Sequence, residues 1–168
     1  SLSHTSVELE VGESVSVDIT LTIAASSQAG THALTFAYGS SELSVELQLS
    51  LQIQERIAVL MSSTSSRIVA GPSSSAVYSF DVTNLGTASD TLHLSLSENG
   101  ASDWFDFELS STSLLLDAGQ SSTVTLNVRE TSQGASSSGI DVTLHAHSSS
   151  DESITSQINL SLIHISEP

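Results

Sequence analysis

The chain has 168 residues, a formal net charge of −16 at pH 7, and neither lysine nor cysteine. So acidic a surface argues against nucleic acid and anionic membranes as partners, because both are bound through basic patches. The lack of cysteine excludes disulfides and thiolate metal sites, and no apolar stretch approaches the roughly 20 residues that span a membrane.

The first third of the chain alternates apolar and polar residues with a period of two, as half-buried antiparallel strands do. Val15, Val17 and Ile19 face one way, and Ser16 and Asp18 face the other. This pattern predicts strands over residues 6–9, 14–23, 31–38 and 42–53. No segment shows the i, i+3, i+4 spacing of an amphipathic helix, so we expect essentially no helix.

A short linker, Gln54-Glu55-Arg56, separates this part from a longer set of predicted strands. The same alternation places those strands over residues 57–61, 66–69, 76–84, 91–97, 104–109, 113–116, 122–129, 139–147 and 154–163. Turn residues fall between them at Gly71-Pro72, Asn84-Leu85-Gly86, Asn99-Gly100 and 117–120. The two turns that contain asparagine are expected to need a positive φ. Short strands at this spacing favour a β-sandwich.

The first third also repeats part of the last third. The segment VELEVGESVSVDITL, which begins at Val7, aligns with LLLDAGQSSTVTLNV, which begins at Leu114, and Gly12 lies 107 residues before Gly119. A period of that length is the size of one immunoglobulin-like sandwich. We therefore predict an all-β chain of tandem immunoglobulin-like antiparallel β-sandwiches. Residues 55–163 form one full module, residues 1–54 are the C-terminal part of a preceding module, and residues 164–168 are a tail.

The N-terminal copy lacks counterparts of the strands predicted at 76–84 and 91–97. Four strands cannot close a two-layer core, and roughly ten inward side chains, each worth ~1.5–3 kcal/mol when buried, would have no facing sheet. We therefore expect that residues 1–54 do not fold alone, and that the earlier part of that module precedes the sequence shown.

The C-terminal nonapeptide LSLIHISEP, residues 160–168, resembles the translation of a transposase-type sequencing adapter. On that interpretation the chain comes from a metagenomic fragment and its biological sequence ends near Asn159, so the glycosylation sequon Asn159-Leu160-Ser161 is spurious. The alternative is a natural last strand, because Leu160 and Leu162 continue the stripe of Ile158. The two interpretations are compatible.

Three stretches carry a resemblance to a known family: YSFDVTNLGTASDTLHLSL (78–96), DWFDFEL (103–109) and LLLDAGQSSTVTLNV (114–128). Their order resembles the immunoglobulin-like modules attached to secreted alpha-galactosidases, and CARDB, the cell-adhesion-related domain of bacterial and archaeal surface proteins. The shared pattern falls on Val82, Asn84 and Gly86, then Trp104, then Gly119. The chain departs from it at residues 131–138, a Ser/Gly loop without the usual proline. The resemblance implies an ancillary, non-catalytic role and offers no catalytic residues.

Trp104 is the candidate for ligand contact, as a platform on which a sugar ring could stack. Alternation places Trp104 and Asp106 on one face, and Phe105 and Phe107 on the other. In the resembling families the tryptophan packs against the sandwich, so packing in the core or at an edge is the preferred interpretation.

Other polar groups are weaker candidates. Carboxylates in or near loops could bind Ca²⁺, which takes six to eight oxygen ligands; they are Asp90, Glu98, Asp103, Asp106 and Asp151-Glu152. His145 and His147 share a strand face and could begin a metal site, although no third ligand is evident. With no D-x-D-x-D-G loop present, we interpret both sets as solvated surface. We predict no catalytic residue, metal or cofactor.

The predicted function is that of a non-catalytic spacer or adhesive module in a larger secreted or cell-surface protein, which is not an enzyme. Its expected partners are neighbouring modules of the same chain, and a protein or glycan at the cell surface is a further candidate. The first alternative is an accessory module of a secreted glycoside hydrolase or protease that contacts carbohydrate through Trp104. A calcium-rigidified adhesin is the third.

Overall fold

The computed structural model describes residues 1–24, 26–65, 67–70, 75–98, 105–131 and 139–164, and the regular structure among them is entirely β-strand. These residues form eleven strands. Their bounds are β1 (Gly30–Gly39), β2 (Ser44–Ile53), β3 (Val59–Ser63), β4 (Arg67–Ala70), β5 (Ser75–Asn84), β6 (Asp90–Glu98), β7 (Phe105–Leu109), β8 (Ser113–Leu116), β9 (Ser121–Glu130), β10 (Gly139–Ser148) and β11 (Thr155–His164).

Strands β3 to β11 make a two-sheet sandwich. One sheet has the order β4-β11-β10-β6-β8 and the other the order β3-β5-β9-β7. The first two strands of the sandwich lie at the edges of different sheets. β3 pairs antiparallel with β5 in one sheet, whereas β4 crosses over and pairs parallel with β11 in the other. This architecture confirms the predicted all-β immunoglobulin-like fold.

The core of the sandwich follows from the alternation within each strand. In β5 every second side chain is buried and the others are exposed, apart from the half-buried Thr83, so one face packs inward and the other meets solvent. The facing strands contribute in the same way. The buried apolar side chains are Met61, Ala76, Tyr78, Phe80, Val82, Leu92, Leu94, Phe105, Leu116, Val124, Leu126, Val128, Ile140, Val142, Leu144, Ala146, Leu160 and Leu162.

The N-terminal part contains a single two-stranded sheet, the β1–β2 hairpin, in which Leu34 lies opposite Leu49. None of its described residues before the linker is buried. The strands predicted at residues 6–9 and 14–23 are absent from the structure, where only the isolated bridge between Leu2 and Ile19 forms. The prediction was wrong because a strand needs partners along its length. β9, which carries the aligned pattern, pairs with both β5 and β7, whereas residues 14–23 meet only Ser1–Ser3, through backbone hydrogen bonds at Asp18 and Thr20.

Glycine conformation supports the internal alignment. Gly12 and Gly119, aligned by sequence, both have positive φ, at 88° and 75°. In the predicted turn Asn84-Leu85-Gly86, the glycine is not the residue with positive φ. Instead the buried Asn84 side chain closes the turn, accepting from the Gly86 amide at 2.8 Å and donating to the carbonyl of Ala88 at 2.8 Å.

The last strand continues through the adapter-like nonapeptide as far as His164. Leu160 and Leu162 are both 2% exposed, and the hydroxyl of Tyr78 donates to the carbonyl of Ser161 at 2.9 Å. These residues complete the inner face of β11 whatever their origin.

Candidate functional site

Trp104 lies outside the described residues, as do Asp103 and the predicted turn Asn99-Gly100. The strand predicted at residues 104–109 is described from Phe105 to Leu109, with Phe105 buried in the core. Asp106, on the opposite face, is exposed and lies 3.6 Å from the guanidinium of Arg129. Whether Trp104 contacts a ligand stays a prediction.

The predicted carboxylates do not come together. Among the residues that the structure describes, no three His, Asp or Glu side chains are grouped closely enough to hold a metal ion. Asp151 is bonded within its own turn, where the hydroxyl of Ser153 donates to it at 2.6 Å and the amide at 3.0 Å. These two bonds lower the pKa of Asp151.

The interpretation of Asp90 as solvated surface was wrong, because this carboxylate is buried. It lies at the start of β6, only 6% exposed, and accepts hydrogen bonds from the hydroxyls of Ser148 and of Ser150, the latter at 2.9 Å. Ser148 in turn accepts from the amides of Ser150 and Asp151. Burial would raise the pKa of Asp90, but the serine hydrogen bonds outweigh it and hold the pKa below its ordinary value. The carboxylate therefore clamps the β10–β11 turn onto β6.

The two predicted histidines do share one face of β10, and each has a partner on β6. Nε2 of His145 lies 2.9 Å from the hydroxyl of Ser97, and the rings of His147 and His93 lie 5.4 Å apart between centroids. His93 was missed because it is distant in sequence, although its register opposite His147 follows from the β6–β10 pairing. These contacts link neighbouring strands on the outer face.

The junction between the N-terminal hairpin and the sandwich is built around Thr87, in the turn after β5. Its hydroxyl accepts from the amide of Arg56 at 2.7 Å and donates to the carbonyl of Gln54 at 3.0 Å. Its amide donates to the carbonyl of Arg56 at 2.8 Å, and its carbonyl accepts from the amide of Ala29 at 2.6 Å. Ala29 precedes β1 and Gln54 follows β2, so one residue holds the base of both hairpin strands.

Close backbone packing surrounds this contact. A Cβ on Gly86 would lie 2.6 Å from the carbonyl oxygen of Arg56, and one on Gly119 would lie 2.8 Å from Cβ of Ser26. The guanidinium of Arg56 also donates to the carbonyl of Leu85. Glycine is therefore required at both places where the sandwich meets the N-terminal part.

A second feature of the N-terminal part is an uncovered apolar face. The register puts Leu34, Phe36 and Tyr38 of β1 on one side of the hairpin, together with alternate residues of β2. Beside it lies a groove of about 910 Å³, lined among others by Val15, Val17, Phe36 and Tyr38. The residues of this face are apolar, as in a core, but they are half-buried or exposed.

No protein-family model matches the sequence, and no curated protein matches it. Among solved structures, the chain is similar to a PapD-like domain of human CEP192, with 16% identity over 65% of this chain and 84% of that one, at a TM-score of 0.42. It is also similar to domains 4 and 5 of the S-layer protein SbsC, with 10% identity over 82% of this chain and 58% of that one, at a TM-score of 0.48. A third similar structure is the E. coli chaperone DraB, with 16% identity over 64% of this chain and 54% of that one, at a TM-score of 0.42.

These likenesses concern the fold alone. The structures are PapD-like and immunoglobulin-like, and the predicted resemblance to alpha-galactosidase modules and CARDB domains stays a prediction. Among the described residues, no helix has the length and apolarity that a membrane crossing requires.

Proposed function

We propose that this chain is a non-catalytic structural segment of an array of immunoglobulin-like modules in a larger protein that works outside the cytoplasm, secreted or at the cell surface. Its role is geometric: the sandwich is a stiff unit, and the junction sets the distance and angle to its neighbour. The partners are the neighbouring modules of the same array.

The observation that carries this proposal is the junction at Thr87. A linker of three residues without such contacts would allow the hairpin to rotate about Gln54-Glu55-Arg56. Here the hydrogen bonds of Thr87 hold residues on both sides of the hairpin, so a rotation must break several of them together. Bonds that break only together resist motion better than the same number in isolation.

The polar groups support a structural role. Asp90 and Asp151 hold a turn, Asp106 faces Arg129, and His145 contacts Ser97 on the neighbouring strand. None of these arrangements resembles two carboxylates across a cleft, which glycoside hydrolysis requires. The net charge of −16 repels like-charged neighbours and keeps such a segment soluble.

The test is a distance distribution across the junction by double electron–electron resonance. Because the chain has no cysteine, Ser50→Cys on the hairpin and Glu108→Cys on the sandwich provide two unique labelling positions, both on exposed residues. We expect one narrow distribution, and a clearly broader one when Gly-Ser-Gly is inserted between Glu55 and Arg56. A parent distribution as broad as that of the insertion variant would refute a fixed junction.

A further inference from the structure

The two hairpins of this chain have the same register. In β1–β2, Leu34 pairs with Leu49, and in β10–β11, Val142 pairs with Leu160. When the Leu-Ser-Leu of residues 49–51 is set on that of residues 160–162, these pairings place Leu34 on Val142, and the pairs on either side follow. The two hairpins are therefore equivalent in their strand pairing.

Their apolar faces differ in what lies over them. Val142 and Leu160 are 3% and 2% exposed, because the ribbon formed by β3 and β5 crosses that face. Two hydrogen bonds mark the contact, from the Tyr78 hydroxyl to the Ser161 carbonyl and from the Met61 amide to the Ser156 hydroxyl. The equivalent face of β1–β2 is covered only in part: Leu34 and Phe36 are half-buried, whereas Leu47 and Tyr38 are 46% and 53% exposed.

The segment beside that face is paired over only a short stretch. Residues 14–23 align with β9, whose two edges pair with β5 and β7. Asp18 and Thr20 exchange backbone hydrogen bonds with Ser3 and Ser1 around the bridge at Ile19, and residues 14–23 belong to no strand of the structure. An edge of alternating residues that is paired over so short a stretch, next to an apolar groove, has the features of a surface that accepts an added strand.

We propose that the apolar face of β1–β2 and the edge of residues 14–23 together accept a two-stranded ribbon of the β3–β5 type, contributed by another immunoglobulin-like module of the same array. This inference rests on the proposed function. The occupant is identified by what covers the face of β10–β11, which is the ribbon of β3 and β5. The occupant is therefore an alternating ribbon whose inward residues match Met61, Tyr78, Phe80 and Val82.

Charge supports the same occupant. Residues 1–54 carry six acidic side chains and no lysine or arginine, whereas residues 57–84 carry only Arg67 and Asp81 and have no net charge. A ribbon of this composition adds no repulsion to an acidic surface. A second copy of this chain is a poorer donor, because its own ribbon is already buried, with Tyr78 2% and Val82 0% exposed.

The internal repeat defines the experiment. Because the two copies are 107 residues apart, fusing residues 57–107 ahead of Ser1 places a ribbon of the β3–β5 type in the aligned position. The full chain extended in this way is compared with the unextended chain by amide hydrogen exchange. We expect exchange within residues 14–23 to slow by at least about tenfold, and a second cooperative unfolding transition to appear.

The matched control carries Tyr78→Ser, Phe80→Ser and Val82→Ser in the fused copy only, and protection should then be lost. Equal protection with the control ribbon, or none with the parent ribbon, would overturn the proposal. Sedimentation of the unextended chain tests the other donor: a concentration-dependent dimer in which residues 14–23 become protected would assign the surface to a second copy and would also overturn it. Each of these outcomes leaves the width of the junction distance distribution as a separate test of the proposed function.

Discussion

The hydroxyl of Thr87 donates to the backbone carbonyl of Gln54 across a separation of 33 residues, at 3.0 Å. The same hydroxyl accepts from the amide of Arg56 at 2.7 Å, so it bridges the two ends of the linker. A hydroxyl can donate once and accept twice, and Thr87 therefore serves as donor and acceptor at the same junction. A threonine in a turn has no feature that would distinguish it in the sequence.

Thr87→Val removes both hydroxyl bonds and keeps the shape of the side chain. We expect a loss of about 1–3 kcal/mol from the free energy that holds the junction closed, since each of the two bonds contributes about 0.5–1.5 kcal/mol. The spin-label distance distribution between the hairpin and the sandwich should broaden. Thr143→Val is the matched control, because the hydroxyl of Thr143 bonds Asn159 within one sheet; it should leave the distribution unchanged. Broadening in both variants would mean that Thr87 has no special role.

The sequence predicted the sandwich well because its signal is local. Alternation over β5, β9 and β10 is set by residues within each strand. No observed bound of these three strands differs from the predicted one by more than one residue. It failed at residues 14–23, where the same alternation lacks neighbouring strands to pair with. The Asp90 clamp and the Thr87 junction were missed because their partners lie 58 and 33 residues away, and no periodicity records such contacts.

Asp90→Asn should destabilise the sandwich, because it removes the charge that the serine hydroxyls bond. Hydrogen bonds to a charged group contribute about 1.5–3 kcal/mol, so we expect a loss of about that size at neutral pH by urea unfolding. Ser150→Ala, which removes one donor to Asp90, should cost less. An Asp90→Asn variant as stable as the parent at pH 7 would contradict the clamp.

The pH dependence of the same variant has a definite sign. The folded pKa of Asp90 lies below its ordinary value of 3.8, so the unfolded chain takes up the proton more readily than the folded one. The contribution of Asp90 is therefore fully present above pH 3.8 and is lost as the pH falls through the folded pKa. The difference in unfolding free energy between the parent and Asp90→Asn should be constant from pH 5 to 7 and shrink below pH 4. A difference that grows on acidification would mean that folding raises the pKa of Asp90 and does not lower it.

Leu49 and Leu160 occupy equivalent positions in two hairpins of equal register, which makes them a matched pair. Leu160→Ala should cost about 2–5 kcal/mol because it leaves a cavity in a closed core. Leu49→Ala removes the same atoms from a half-exposed position and should cost about 1 kcal/mol or less. Thermal or urea unfolding of the two variants measures the difference directly. Equal losses would show that the face of β1–β2 is covered in solution.

The most demanding prediction concerns the end of β11. A chain that stops at Asn159 lacks Leu160 and Leu162, each worth about 1.5–3 kcal/mol of burial, and it lacks the residues that pair with β4. Together these losses approach the total stability of a small domain, which is about 5–15 kcal/mol. We expect that chain not to unfold cooperatively, whereas a chain that stops at His164 should behave as the parent does.

The internal repeat suggests a replacement that tests whether the end of β11 needs its own residues or only the inward leucines. Leu-Ser-Leu stands both at residues 49–51 and at residues 160–162, and Gln52-Ile53 is the counterpart of Ile163-His164. Replacing Ile163-His164 with Gln-Ile should therefore leave cooperative unfolding intact, because the inward leucines are kept and only the following two residues change. If the chain that stops at Asn159 unfolds as cooperatively as the parent, β11 beyond that residue contributes nothing to the core, and the sandwich is completed without it.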